Sequence, residues 1–327
     1  MSSTPQAPPH PRDWEVGVDE YLTQNGISYE TAIPLNTGTS CYIWRLEGLV
    51  DAEASANGHQ TGQPVIMKCA DSTPKYRNFP VSPERLQFEV KALRSKAVEE
   101  ACHQEPSVQV PRVLRETKNG FIMSNVGETD LRTAYKTYEF LDAAGIGARL
   151  GRWLGSLHVA DALNGEESEK VLTAMRAPAP IHTLTPWDFR PMNIVVRVPD
   201  DEGMASDLAV VDWELCHYGD PSNDVRMWFA EVVILEAKFG NRGLLSSFLS
   251  AYKQRVGSAV VDESFVSRVA LSAGIYMLWL IPINPRVWDC TEEDVEAWKK
   301  TSLDYIRAGA NGDVAWLRQS CLGPLLA

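Results

Sequence analysis

The chain has no long apolar run, no basic excess and no closely paired cysteines, and each absence removes a class of function. Its longest apolar stretch, residues 274–283, is ten residues long, against about 20 for a helix that crosses a bilayer. Residues 1–11 carry four prolines and no apolar stretch of the signal-peptide kind. Lys and Arg number 31 against 43 Asp and Glu, a net charge of −12. A protein that binds nucleic-acid phosphates or anionic lipid needs a basic face, so the expected partners include no nucleic acid and no membrane. The six cysteines, at 41, 69, 102, 216, 290 and 321, show no Cys-x-x-Cys pair. Cys69 and Cys216 lie in apolar stretches and read as buried, reduced thiols, which predicts a soluble, cytoplasmic setting. No period of repeat-protein length recurs.

What is present is ordinary globular material: 327 residues, 44% hydrophobic and 23% charged. At about 150 residues per domain that length predicts two domains. Residues 1–12 read as a disordered tail rich in Pro, Ser and Gln. Residues 13–125 read as a strand-rich lobe, with strands at 42–46, 65–70 and 121–124 and a loop over 51–63. Ser82-Pro83 is an N-cap followed by a proline suited to the first helical position. The helix it opens carries the stripe Leu86, Val90, Leu93, Ala97. Residues 126–327 read as a mostly helical lobe, with a long helix over 147–163, a β-hairpin from 193–198 and 208–211, and a capping box at Thr291–Asp294.

The strongest chemical signal brackets that hairpin. Trp187-Asp188-Phe189-Arg190-Pro191-Met192-Asn193 precedes its first arm, and Val210-Val211-Asp212-Trp213-Glu214 ends its second. A hairpin brings its outer ends together, so Asp188, Asn193 and Asp212 are predicted to converge. Two carboxylates and an amide oxygen form a hard-oxygen set suited to Mg²⁺ on phosphates, and one carboxylate off the metal can serve as base toward a hydroxyl. Lys68 lies mid-strand among apolar neighbours, and Glu89 shares a helix face with Leu86 and Leu93. Each needs a partner, which predicts a Lys68–Glu89 pair that holds an ammonium for phosphate binding.

The order strand Lys, helix Glu, hinge, D-x-x-x-x-N, metal Asp resembles the protein-kinase-like fold. Val211-Asp212-Trp213-Glu214, Gly219-Asp220-Pro221 with Asp224, and Leu154-Gly155-Ser156-Leu157-His158 most resemble the aminoglycoside phosphotransferase and choline kinase branch of small-molecule kinases. The resemblance spans residues 35–228. It implies an α+β, two-lobed fold: an N-terminal antiparallel sheet lobe with one helix, a larger helical C-terminal lobe, and a site in the cleft between them. It implies ATP and Mg²⁺ as cofactors. Asp188 resembles the catalytic aspartate, Asn193 and Asp212 the metal ligands, and Lys68 the lysine on the α/β-phosphates with Glu89 its partner. Met123 to Val126, including Asn125, falls at the adenine hinge, and Gly38, Thr39 and Ser40 at the nucleotide-covering loop. The sequence departs from the branch in having Pro186-Trp187 where His-Gly is usual. Arg190, two residues after the base, stands where a cation can offset charge on the transferring phosphoryl group.

The function implied is transfer of the ATP γ-phosphate to a hydroxyl of a small molecule. The alternatives are a catalytically silent nucleotide-binding or scaffold protein of the same fold and, next, a protein kinase; Asp-Trp-Glu in place of Asp-Phe-Gly argues against the latter. The resemblance places acceptor choice in the helical region after Ser222, where Trp279, Trp288, Trp298, Trp316, Tyr276 and Tyr305 read as core aromatics or, as the alternative, as an aromatic cage for the acceptor. The surplus of carboxylates is compatible with a cationic or aromatic alcohol.

Overall fold

A computed structural model describes residues 17–35, 41–70, 82, 84–162, 181–198, 206–283 and 288–327. They form two compact units: the described part of Met1–Arg94 with Pro111–Asn125, and Ser95–Val110 with Val126–Ala327. The class is α+β, with an antiparallel sheet in the first unit and mainly helices in the second.

In the first unit helix α1 (Val18–Gln24) precedes a five-stranded antiparallel sheet. Its strands are β1 (Thr31–Leu35), β2 (Tyr42–Glu47), β3 (Val65–Cys69), β5 (Val113–Thr117) and β6 (Gly120–Ser124), in the order β1-β2-β3-β6-β5. β2 alternates buried Tyr42, Trp44 and Leu46 with less buried Ile43, Arg45 and Glu47, the two-residue period of a strand with one face on a core. That core joins Val65, Met67 and Cys69 of β3 to Tyr21, Leu22 and Ile27. Lys68 therefore faces the other way, where Glu89 of helix α3 (Arg85–Leu93) meets it.

Three local readings are corrected. The loop over 51–63 contains helix α2 (Ala52–Ala56), capped by Asp51, whose Oδ1 accepts from the Ala54 N–H at 2.8 Å. The single helix after Ser82 is two helices. α3 starts behind Glu84, with Ser82 Oγ accepting from Glu84 N at 3.2 Å and Pro83 outside the described residues. Ser95, in extended geometry, then caps α4 (Lys96–Gln104). The helical stripe runs on across this break, so Ala97 is buried on α4, which belongs to the second unit. Strand β5 was not anticipated, because a bulge between Val113 and Arg115 buries consecutive Val113 and Leu114 and erases the alternation.

The second unit contains α4, β4 (Val108–Gln109), α5 (Leu131–Thr137), α6 (Ala143–Ala162), β7 (Thr183–Thr185), β8 (Ile194–Arg197), β9 (Asp207–Val210) and β10 (His217–Gly219). Five helices follow: α7 (Ser222–Phe239), α8 (Leu244–Val256), α9 (Glu263–Ile283), α10 (Glu292–Asn311) and α11 (Val314–Gln319). β8 and β9 are the expected hairpin, with β4 added parallel to β9, and β7 pairs with β10. The hairpin's turn lies outside the described residues, as does the 1–12 tail.

α6 packs closely on α8 because Gly147 and Gly151 face it. A Cβ on Gly147 would stand 2.2 Å from the Leu244 carbonyl oxygen, and one on Gly151 2.3 Å from that of Phe248. α9 is long and apolar enough to cross a membrane by length and composition, which the ten-residue run understated. Half of that window is buried, and α9 packs on α7 and α10 with Phe265, Val269 and Met277 buried, as in a core helix. The capping box at α10 is present: Thr291 N donates to Asp294 Oδ2 at 2.8 Å, and Asp294 N to Thr291 Oγ1 at 3.2 Å. Cys69 is buried, whereas Cys216 is only half-buried, in the turn before β10.

Candidate active site

In the second unit the chain leaves β7, runs through Pro186–Arg190 and enters a 3-10 turn, Pro191–Asn193, opened by a proline at its first position. The turn carries Asn193 back onto Asp188. Its Nδ2 donates to the Asp188 carbonyl and to Asp188 Oδ2, both at 2.9 Å. Ile194 pairs with Val210, and Val211 N donates to the Asn193 carbonyl at 2.9 Å, so Asp212 lies at the same end of the hairpin. Asp188, Arg190, Asn193 and Asp212 are thus brought together.

Aromatic packing fixes this mouth. Phe189 and Trp213, the neighbours of Asp188 and Asp212, are both 1% exposed. Trp153 of α6 stacks on Phe189 at 6.2 Å and meets Trp213 edge-on at 6.0 Å, and Phe189 continues to Trp228 at 5.3 Å. Each buried ring anchors the backbone from which its acidic neighbour projects.

Trp187 and Asp212 are two of the few non-glycine residues with left-handed backbone, at φ 68° and 64°. Such conformations cost about 1 kcal/mol or more each and persist where surroundings impose them. Trp187 is held by Asp224, whose Oδ1 accepts the Trp187 N–H at 2.8 Å. Asp224 Oδ2 lies 3.2 Å from His158 Nε2, and His158 Nδ1 2.8 Å from the Tyr252 hydroxyl. Burial raises the Tyr252 phenol well above its ordinary range.

Arg190 is no ordinary surface arginine. Its Nε stands 3.1 Å from Asp188 Oδ1, an ion-pair contact without hydrogen-bond alignment, and its Nη1 donates to Glu231 Oε1 at 3.3 Å. Glu231 is 1% exposed and also accepts from the Tyr276 hydroxyl at 3.1 Å. Burial pushes the Glu231 carboxyl above its ordinary value, while Arg190 opposes the shift. Asp188 is likewise raised, chiefly by burial and also by Asp212 and Glu214, against Arg190 and Asn193.

In the first unit Lys68 Nζ donates to Glu89 Oε2 at 2.8 Å, with side chains 4% and 1% exposed. Neither charge would be tolerated there alone. Met123 is buried on β6, paired with Ile66 and Val113, and Asn125 is the last residue of the unit. Gly38, Thr39 and Ser40 lie outside the described residues. Of the aromatic set, Trp288 and Tyr305 are core residues, Trp279 and Trp316 are exposed, and Tyr276 reaches Glu231.

Glu231 and Arg226 escaped notice in the sequence. The available signal was Glu231 itself, an acid inside the apolar run Met227-Trp228-Phe229-Ala230-Glu231-Val232-Val233-Ile234-Leu235.

No family model and no curated protein matches the chain. Among solved structures it is similar to the macrolide 2'-phosphotransferase MphH from Brachybacterium faecium, at 17% identity over 85% of this chain and 94% of that one, TM-score 0.45. It is similar to an ethanolamine kinase from Plasmodium vivax, at 11% identity over 91% and 83%, TM-score 0.47. It is also similar to the ADP-bound aminoglycoside phosphotransferase APH(2'')-Ib, at 13% identity over 88% and 97%, TM-score 0.46. Likeness at these levels assigns no residue of this chain a role.

Proposed function

We propose that the chain is an ATP- and Mg²⁺-dependent phosphotransferase of the aminoglycoside phosphotransferase and choline kinase kind, acting on a hydroxyl of a small molecule. The observation that carries this reading is the Asn193–Asp188 clamp beside Asp212. The Asn193 amide nitrogen is committed to Asp188, which turns its oxygen to the other side as a neutral ligand next to the Asp212 carboxylate. This pair suits Mg²⁺, which takes one or two carboxylates and several water or phosphate oxygens. When bound, the ion would neutralise charge on the nucleotide's phosphates.

The chain's own residues do the rest. Asp188, oriented by Asn193 and Arg190, accepts the proton of the acceptor hydroxyl as its oxygen bonds to the γ-phosphorus and the bond to ADP breaks. Arg190 offsets charge on the transferring group. Lys68, kept extended by Glu89, serves the α/β-phosphates, and the backbone around Met123 and Asn125 serves adenine. A cytoplasmic, reducing location accords with six cysteines that are all free.

The test is ADP release with Mg-ATP over a panel of alcohols, in wild type and Asp188→Asn. Loss of a general base costs roughly 10²- to 10⁴-fold in rate, so turnover should fall by that order while Mg-ATP binding persists. Turnover unaffected by the substitution overturns the assignment of Asp188. Tight Mg-ATP binding without ADP release on any acceptor favours a silent nucleotide-binding protein.

A further inference from the structure

Six side chains of the second unit close a ring that starts and ends at Asp188. Asp188 contacts Arg190, Arg190 bonds Glu231, and Glu231 accepts from Tyr276. The Tyr276 ring lies 5.8 Å from the Arg226 guanidinium carbon, which lies 5.5 Å from the ring of Trp187, the residue before Asp188.

The two arginines of this ring differ. Arg190 is shared between two carboxylates. Arg226 forms no ion pair among the described residues: its Nε donates to Asn223 Oδ1 at 3.0 Å and its Nη1 to the Met227 sulfur at 3.5 Å. Burial works against its charge, while Tyr276, Asp224 and Asp188 favour it. Arg226, Trp187 and Tyr276 are all partly exposed, so a ligand can reach a guanidinium framed by two aromatic faces. A partly desolvated guanidinium without a carboxylate has a strong, directional preference for one, or for a phosphate, from outside.

We infer that Arg226 binds the acceptor, and that the acceptor is an alcohol bearing an anionic group, a carboxylate or a phosphate. This rests on the reading of Asp188 as the base. The net charge of −12 points instead toward a cationic acceptor. Surface charges more than about 8 Å away are largely screened at physiological salt, so the cation beside the site outweighs the chain's total.

The test is ADP release by the full chain with Mg-ATP over matched acceptors: gluconate, glucose and glucosamine, then glycerate, glycerol 3-phosphate and glycerol. The anionic members should be preferred, with glycerate against glycerol 3-phosphate separating carboxylate from phosphate. Arg226→Gln should raise KM for the anionic acceptor about tenfold or more, the loss of a charge-assisted hydrogen bond. KM for Mg-ATP should stay put, and Arg226→Lys should fall between. Preference for neutral or cationic members, no stimulation by any member, or an equal effect of Arg226→Gln on all acceptors overturns the inference. Asp188-dependent ADP release that is faster with glucosamine or glycerol than with their anionic counterparts would sink the Arg226 assignment while leaving the phosphotransferase reading intact. Turnover indifferent to Asp188→Asn would remove both.

Discussion

The backbone N–H of Trp187 donates to Oδ1 of Asp224, a side chain with no exposed surface, at 2.8 Å. This one bond ties the loop that carries Asp188 to the start of α7. Asp224→Ala would leave the Trp187 N–H and the His158 imidazole without their acceptor. Each orphaned buried donor costs about 1–3 kcal/mol. Urea denaturation should show a loss of at least that size, and ADP release should fall with it. An undiminished stability would show that the loop does not depend on Asp224.

The Lys68–Glu89 pair should behave as a unit. Lys68→Met removes the ammonium from a buried carboxylate, a defect worth about 3–5 kcal/mol. Lys68→Met/Glu89→Leu removes both charges and should recover much of that loss while failing to restore Mg-ATP binding. A double-mutant cycle in denaturant measures the coupling; strictly additive effects would contradict the pair.

Gly151→Ala tests the approach of α6 to α8. The added methyl would stand 2.3 Å from a backbone oxygen that cannot swing aside. Overpacking of this kind costs about 1–3 kcal/mol, outweighing the better helix propensity of alanine. Thermal unfolding should show a lower midpoint.

Asp294 gives the start of α10 a pH dependence. Its carboxyl is lowered to about 2, first by the Lys238 ammonium and then by the Thr291 N–H and hydroxyl. A carboxyl whose folded pKa lies below its unfolded one stabilises above the unfolded value of about 3.9, and that contribution disappears as pH falls toward 2. Asp294→Asn should therefore flatten the acid limb of the stability curve over that window. Thr291→Ala should cost about 1 kcal/mol, read by urea denaturation at neutral pH.

Burial pushes the Cys69 thiol up to about 12. Iodoacetamide at pH 8 should label exposed Cys321 and leave Cys69 untouched until the chain is unfolded. Mass spectrometry of the alkylated peptides reads this directly.

Much of the site was legible because its parts are local. The five-residue spacing of Asp188 and Asn193 fits one turn, and a hairpin necessarily returns Asp212 to the same end. Lys68 stood out as a charge that an apolar strand cannot leave unpaired. The split between α3 and α4 was hidden, since a stripe at helical spacing runs through Ser95 without marking the break.

What the amino-acid order determined alone is therefore the set of short-range devices: alternation in β2, the hairpin, the D-x-x-x-x-N turn, the Thr291 box. What only the tertiary structure decided is who meets whom at long range. Arg190 finds Glu231 41 residues on, Glu231 finds Tyr276 after 45 more, and Trp187 finds Asp224 after 37. No local period encodes such pairs. They arise because buried charges and backbone donors must be satisfied by whatever the packed helices bring within reach. The same packing leaves Arg226 within electrostatic reach of Asp188 and without an ion pair among the described residues.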